Sequence, residues 1–431
     1  FGAGIVLLIY SLMRILDFNN RISLAAALFL CIIPEFAFWS IGGLETTMYI
    51  FWLLAGIYSY IYERKYNRYH VLSVIFLFLL SITRPEGLYI AGAVILYHLV
   101  HAFRIKKHDV VTAKNAFHKI LPGIIIFTVL YGTYFTWRYT TYGYFFPNTY
   151  YAKKVATVRQ LFIRTQQIGV FIGPLLPFFA IAVFGFFQFN KKMTYEKKLL
   201  GILLLMLLAF CWLARFEWMP GHRYELPFTP LLMIFFAAGL PKILFNDLNK
   251  WKVRMSTRFV PLIVLVFFGV FMLSRFNDLR KKGNDFAGQL NRAHVQLGKW
   301  FKANVPASSS YASWDMGAVP YFSGMNTIID INLEGLLNPY TAHHGYDIDR
   351  LLALQPDFLV LPPNTSYVKP RDILDFYTNP RLKENYDYLF PVYFDRDYIL
   401  HVYKHKNVNL TNAAMQNANN ITASSHREVS Y

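Results

Sequence analysis

Five short polar stretches hold the side chains of this chain that could do chemistry. Gly42-Gly-Leu-Glu-Thr46 sets Glu45 at the start of an apolar run, with Glu35 close by on the run before. Thr83-Arg-Pro-Glu-Gly87 places Arg84 and Glu86 around a proline, and Tyr142 to Lys154 carries Tyr144, Asn148, Tyr151, Lys153 and Lys154, with Arg159 and Arg164 just beyond. Arg215 to Tyr224 crowds Glu217, His222 and Arg223 around Pro220-Gly221, and Trp314-Asp-Met-Gly-Ala318 presents Asp315 after an expected strand. A carboxylate such as Glu217 could act as acid or base, and Arg223 could clamp a phosphate bidentately. The basic run from Lys153 to Arg164 could hold a lipid phosphate or pyrophosphate.

Each stretch also has a plainer reading. Glu45 at a helix start is favourable by ~0.3–1 kcal/mol with no ligand. Arg84 and Glu86 could neutralise each other in a turn between helices. Trp218 and Tyr224 could anchor an interfacial loop. The lysines could lie on anionic lipid, at ~1 kcal/mol per charge near the surface. Asp315 could be a helix cap. His343 and His344 form a pair without further ligands in metal spacing, so no metal site is expected there.

The elements that must position these groups are apolar. The chain is 55% hydrophobic and 18% aromatic, too apolar for an ordinary soluble protein of this length. Ten apolar runs between Phe1 and Ser274 read as about ten membrane spans. The net charge of +18 comes from this part, where 27 Lys and Arg face 10 Asp and Glu; beyond Ser274 the ratio is 16 to 15. Arg64–Arg68, Arg104–Lys119, Lys191–Lys198 and Lys250–Arg258 fall in alternate loops, which places them on the cytoplasmic face and excludes nucleic acid as the reason for the charge. The polar stretches before Ser274 then share the opposite face, at span ends where ionisable groups are costly and usually paired or functional. Cys31 and Cys211 lie in apolar runs and suggest neither disulfide nor metal. The chain opens at Phe1 inside an apolar segment, so its N-terminus is expected to be missing.

After Ser274 the pattern changes to that of a small α/β domain. Phe286–Val305 reads as an amphipathic helix, Ile348–Leu354 as a shorter one, and Ser308–Ser313, Thr327–Ile331 and Phe358–Leu361 as strands. Tyr386–Phe394 and Tyr398–Tyr403 read as a hairpin. The expected organisation is a mainly α polytopic helical bundle over 1–274, an extracytoplasmic α/β domain over 275–406 and a disordered Asn/Ala/Ser-rich tail over 407–431.

The ordered set Gly43-Leu-Glu-Thr46, Thr83-Arg-Pro-Glu-Gly87, Tyr142-Gly…Pro147-Asn-Thr…Tyr151-Ala-Lys153, Trp218-Met-Pro-Gly-His-Arg-Tyr224 and Trp314-Asp-Met-Gly-Ala318 resembles the bacterial GT-C membrane glycosyltransferases, among them the mycobacterial terminal arabinofuranosyltransferase family. The resemblance runs from about Ile33 to Leu361. It implies a GT-C-like fold in the bacterial cytoplasmic membrane, and transfer of a sugar from a polyprenyl-phosphate donor to an envelope glycan or lipid on the outer face. It also implies a catalytic Asp on an outer loop that would precede Phe1. Where relatives tend to carry Asp, this chain has Glu217. On that reading Glu217 and Glu45 are the catalytic candidates within the chain. Arg84, Glu86, Tyr144, Asn148, Tyr151, Lys153, Lys154, Arg159, His222, Arg223 and Asp315 are the substrate-binding ones, with the tyrosines stacking on sugar faces. No ligand cluster for a cofactor is visible in the sequence, and a divalent cation could accompany the lipid phosphate. A transporter or flippase of lipid-linked sugars and a non-catalytic envelope assembly protein are the competing readings.

Overall fold

A computed structural model describes residues 1–106, 110–147, 151, 158–188, 193–214, 219–241, 260–325, 327–330, 343–344, 347–363 and 376–429. The chain divides into two compact units, Phe1–Gly143 with Val155–Lys281, and Tyr144–Lys154 with Lys282–Tyr431.

The first unit is helical. Its helices are α1 Gly2–Ile15, α2 Asn20–Cys31, α3 Pro34–Ile41, α4 Thr46–Lys65, α5 Leu72–Thr83, α6 Glu86–Lys106, α7 Val110–Tyr142, α8 Val158–Ile172, α9 Leu176–Gln188, α10 Thr194–Leu213, α11 Thr229–Pro241 and α12 Val260–Leu290. Local sequence explains the breaks. The Asn19 side chain accepts from the Ile22 amide at 3.0 Å and starts α2. Pro34 opens α3, which is bent 69° from α2. Pro85 bars the helical region to Arg84, whose φ of −147° and ψ of 144° end α5. The chain restarts at once as α6, and Gly87 permits it: a Cβ there would lie 2.3 Å from the Leu80 carbonyl oxygen.

Glycine also sets the approach of α9 to α11. A Cβ on Gly185 would lie 1.9 Å from the Phe235 oxygen, and one on Gly239 would lie 2.5 Å from the Ile181 oxygen. These helices meet backbone to backbone, the small-residue packing usual where no hydrophobic driving force separates helix from lipid.

Three helices or helix pairs among the described residues, Glu86–Arg104, Val110–Tyr142 and Leu161–Phe187, are long and apolar enough to cross a membrane, and the bent pair α2–α3 could supply a fourth. Gly2–Ile15, Leu72–Thr83 and Leu226–Gly239 are shorter apolar helices.

The loops expected on one face do gather where they are described. Arg64 meets Glu196 at 2.5 Å, Lys65 meets Asp17 at 2.7 Å, and the His70 amide donates to the Lys119 carbonyl at 3.0 Å. At the same end, Tyr60 donates to His98 Nδ1 at 2.8 Å, while His98 Nε2 donates to the Ala116 carbonyl at 3.2 Å. Tyr195 completes this buried chain at the Tyr60 hydroxyl. Helix α4 runs from this end at Lys65 to the other polar stretches at Thr46.

The second unit holds a five-stranded sheet in the order β2-β1-β3-β5-β4. The strands are β1 Ser310–Ser313, β2 Thr327–Asp330, β3 Phe358–Leu361, β4 Tyr386–Tyr393 and β5 Ile399–His405. β1 is parallel to both neighbours, whereas β5 is antiparallel to both of its own, β3 and β4. Helix α13, Gln296–Asn304, buries Leu297, Trp300 and Phe301 in its core. Short helices α14 Ala318–Ser323, α15 Ile348–Ala353 and α16 Pro380–Asn385 connect the strands.

Two expectations change. The stretch Tyr144–Lys154, read with the membrane part, belongs to the second unit. The tail read as disordered is helix α17, Asn412–Val429. Its Ala414 and Ala418 are buried, Trp300 Nε1 donates to the Ala414 carbonyl at 3.1 Å, and Thr422 donates to the Pro391 carbonyl at 2.7 Å. The stripe Ala414, Ala418, Ile421, Ser425 has helical spacing, but its small residues have the composition of a low-complexity tail.

Gly185→Val should lower the melting temperature of the detergent-solubilised protein, because the overpacked α9–α11 contact costs about 1–3 kcal/mol. Val183→Ala, on the exposed part of α9, should leave it within error.

Candidate functional site

Arg84 is the centre of the polar end of the first unit. Its extended backbone before Pro85 carries the side chain away from α5, and the residue is 9% exposed. Nη1 donates to Glu45 Oε1 at 3.2 Å; Nη2 and Nε donate to Glu86 Oε1 and Oε2 at 3.1 and 3.4 Å. One guanidinium therefore sits between two carboxylates. Glu45 makes no cap bond to α4 and spends its carboxylate on Arg84. The two glutamates remain 34% and 32% exposed, so each is anchored on one side and open on the other.

The turn after α10 closes over this group. Gly221 has φ +93° and His222 φ +48°, and a Cβ on Gly221 would lie 2.9 Å from both Phe38 and Trp39. Trp39 Nε1 donates to the Gly221 carbonyl at 2.6 Å, which seats the turn on α3. Tyr224 then projects among three arginines, with Arg84, Arg164 and Arg223 at 5.0, 5.8 and 4.9 Å from its ring centre. Arg223 also donates to the Tyr224 hydroxyl at 3.1 Å. An electron-rich phenol face suits this packing, since it attracts each cation without adding a charge.

Behind Tyr224 lies a buried ion pair. Arg164 on α8 meets Glu225 at 2.9 Å, and both side chains are 1% exposed. Arg164 donates to the Cys211 carbonyl at 3.2 and 2.8 Å and to Gln167 at 2.7 Å. The Cys211 thiol donates to the Tyr224 carbonyl at 2.8 Å. A second ion pair, Arg275 with Glu35, ties α12 to α3.

Sequence-predicted residues thus converge in part. Glu45, Arg84, Glu86 and Arg223 share this site, and His222 turns aside to pack on Phe171, with ring centres 5.2 Å apart. Glu217, Asn148, Lys153, Lys154 and the Arg159 side chain lie outside the described residues. Tyr144 and Tyr151 lie in the second unit, where both rings pack on His343 at 3.4 and 4.1 Å.

Asp315 is also in the second unit, at the carboxyl end of β1. It accepts from Tyr398 at 2.9 and 3.0 Å and from His294 Nε2 at 2.9 Å. His294 stands on a π-helical turn, Asn291–Val295, and Gly317 with φ +121° closes the loop. Burial, and then the Asp315 charge, hold the Tyr398 hydroxyl far above the usual phenol range, so it stays a donor. No group of three His, Cys, Asp or Glu that could hold a metal ion occurs among the described residues.

Sequence reasoning missed Tyr224 as the hub and Glu225 as the partner of Arg164. Extending the Met219–Tyr224 motif by one residue would have included Glu225; nothing local pairs it with Arg164.

A family model described as a domain of unknown function (DUF8728) matches residues 284–411, within the second unit. No curated protein matches the sequence. Among solved structures, the chain is similar to ArnT from Cupriavidus metallidurans, a crystal structure in the apo state. The TM-score is 0.57 at 12% identity, over 93% of this chain and 82% of that chain. At that identity the likeness shows a shared fold and nothing beyond it. With its three long apolar helices, the chain is a membrane protein.

Arg164→Met should destabilise the protein by about 3–5 kcal/mol, because Glu225 loses its buried counter-charge. Adding Glu225→Leu should restore much of the loss, as read from melting curves in one detergent.

Proposed function

We propose that the chain is a membrane glycosyltransferase of the GT-C type, moving a sugar from a polyprenyl-phosphate donor onto a cell-envelope glycan or lipid. The observation that carries this reading is the Glu45–Arg84–Glu86 group, with Arg223 and Tyr224 beside it, in a chain whose fold is similar to that of ArnT.

Glycosyl transfer from a lipid phosphate needs a base for the acceptor hydroxyl and a cation for the departing phosphate. Glu45 takes the first role: Arg84 fixes its carboxylate on one side and leaves the other open. Arg223 takes the second, with a planar guanidinium suited to phosphate oxygens. Arg84 is a positioning residue, because both of its faces are spent on glutamates. By their charge, Lys153, Lys154 and Arg159 are also proposed as donor-phosphate ligands, and the second unit is proposed to bind the acceptor on the outer face, with Asp315 among its binding residues.

A transporter of lipid-linked sugars would bind its cargo near mid-span. The ionisable groups here lie instead where α4 and α6 begin, at span ends, which favours the transferase.

Membranes containing the full-length protein should transfer radiolabelled sugar from a polyprenyl-phosphate donor. Glu45→Gln should lower turnover by about 10²–10⁴-fold while donor binding persists. Arg223→Ala should mainly raise the donor concentration required. Wild-type turnover in both variants would sink the reading.

A further inference from the structure

Beyond the polar end, the first unit has a large apolar groove of about 1250 Å³. One wall is a stripe on α6, Leu88, Gly92, Leu96 and Val100, and this wall ends at Arg104. At a rise of 1.5 Å per residue the stripe is about 24 Å long, close to the hydrocarbon thickness of one membrane. Helices α9, α10 and α11 provide the remaining walls.

The charge in this groove is all at one end. Among the described residues, Arg104 and Lys198 are the charged groups that line it, and both are exposed. Lys197 adds a third cation there, its ammonium 5.0 Å from the ring centre of Phe186 on the groove wall. The opposite end begins at Leu88, two residues from the site glutamate Glu86.

Gly92 is a second, independent observation. It sits inside a 21-residue helix, about two turns from its start, where glycine is disfavoured relative to alanine. A Cβ there would meet nothing within 4 Å, so no packing within the protein requires the glycine. What the missing side chain preserves is the depth of the groove.

We propose that this groove is a binding site for an anionic phospholipid, with its acyl chains along α6 and its phosphate between Arg104 and Lys198. The polarity of the groove argues for this occupant over the sugar donor. A donor presented to Glu45 and Arg223 has its phosphate at the Glu86 end of α6, whereas the cations of the groove are at the far end. A lipid in the reverse orientation satisfies them and fills the space that Gly92 leaves. The inference requires no transferase activity.

The test is native mass spectrometry of the full-length protein released from vesicles with equal phosphatidylglycerol and phosphatidylcholine of matched chains. The wild type should retain phosphatidylglycerol at least about fivefold over phosphatidylcholine. The double variant Arg104→Gln, Lys198→Gln changes only exposed side chains, and its ratio should fall to about one. Gly92→Phe, which points its ring into open space, should cut retention of both lipids. Equal retention by the wild type, an unchanged ratio in the double variant, or undiminished retention by Gly92→Phe would each overturn the proposal. So would preferential retention of polyprenyl phosphate when it is added to the vesicles.

Discussion

The cost of burying a guanidinium organises the polar end of the helical unit. Arg84 lies at the junction of two apolar helices and is almost fully buried. Such a charge persists only if paired and hydrogen-bonded. The pairing fixes the neighbours: Glu86 must begin α6 in the same turn, Glu45 must begin α4 close by, and Tyr224 must offer its ring. Arg164 repeats the arrangement one layer deeper with Glu225 and the Cys211 carbonyl. Helix starts and one tight turn are thereby locked into a single constellation, with two carboxylates left half open.

The opposite end of the same helices pairs its buried polar groups in a different way. Tyr60, His98 and Tyr195 form a hydrogen-bonded chain beneath the Arg64–Glu196 pair. Glu63 accepts from the Leu72 and Ser73 amides at 2.8 and 3.2 Å and also from the Ser73 hydroxyl. Here polar groups saturate one another and register α4, α5, α6 and α10. The polar contrast between the two ends is what makes α4 and α6 directional. It also gives the apolar groove along α6 a cationic end and an uncharged one.

In the second unit, Asp315 follows the first of three parallel strands, and the strands on either side of β1 are reached by connections running in opposite directions. That is where open α/β sheets place ligands. The π-helical turn swings His294 towards Asp315, and Tyr398 arrives from the hairpin. The carboxylate is thus oriented by residues 21 and 83 positions away.

Much of this was legible in the residue order. Apolar runs marked the helices, Pro85 marked the α5–α6 break, and short runs rich in β-branched, aromatic and apolar residues marked every strand of the sheet within a few residues, because each depends on neighbours along the chain. The motifs holding Glu45, Arg84, Glu86 and Arg223 were also visible, since ionisable groups beside apolar runs are conspicuous. The partners were not. Nothing local joins Arg164 to Glu225, places Tyr224 among three arginines, or stacks Tyr144 on His343. Helix α17 looked like a disordered tail because its alanines gain their stability only against Trp300 and β4. Composition and periodicity decide which segments are apolar and where they must break. Which charges meet is decided by helix packing across long separations in the chain, where burial makes an unpaired charge too costly to keep.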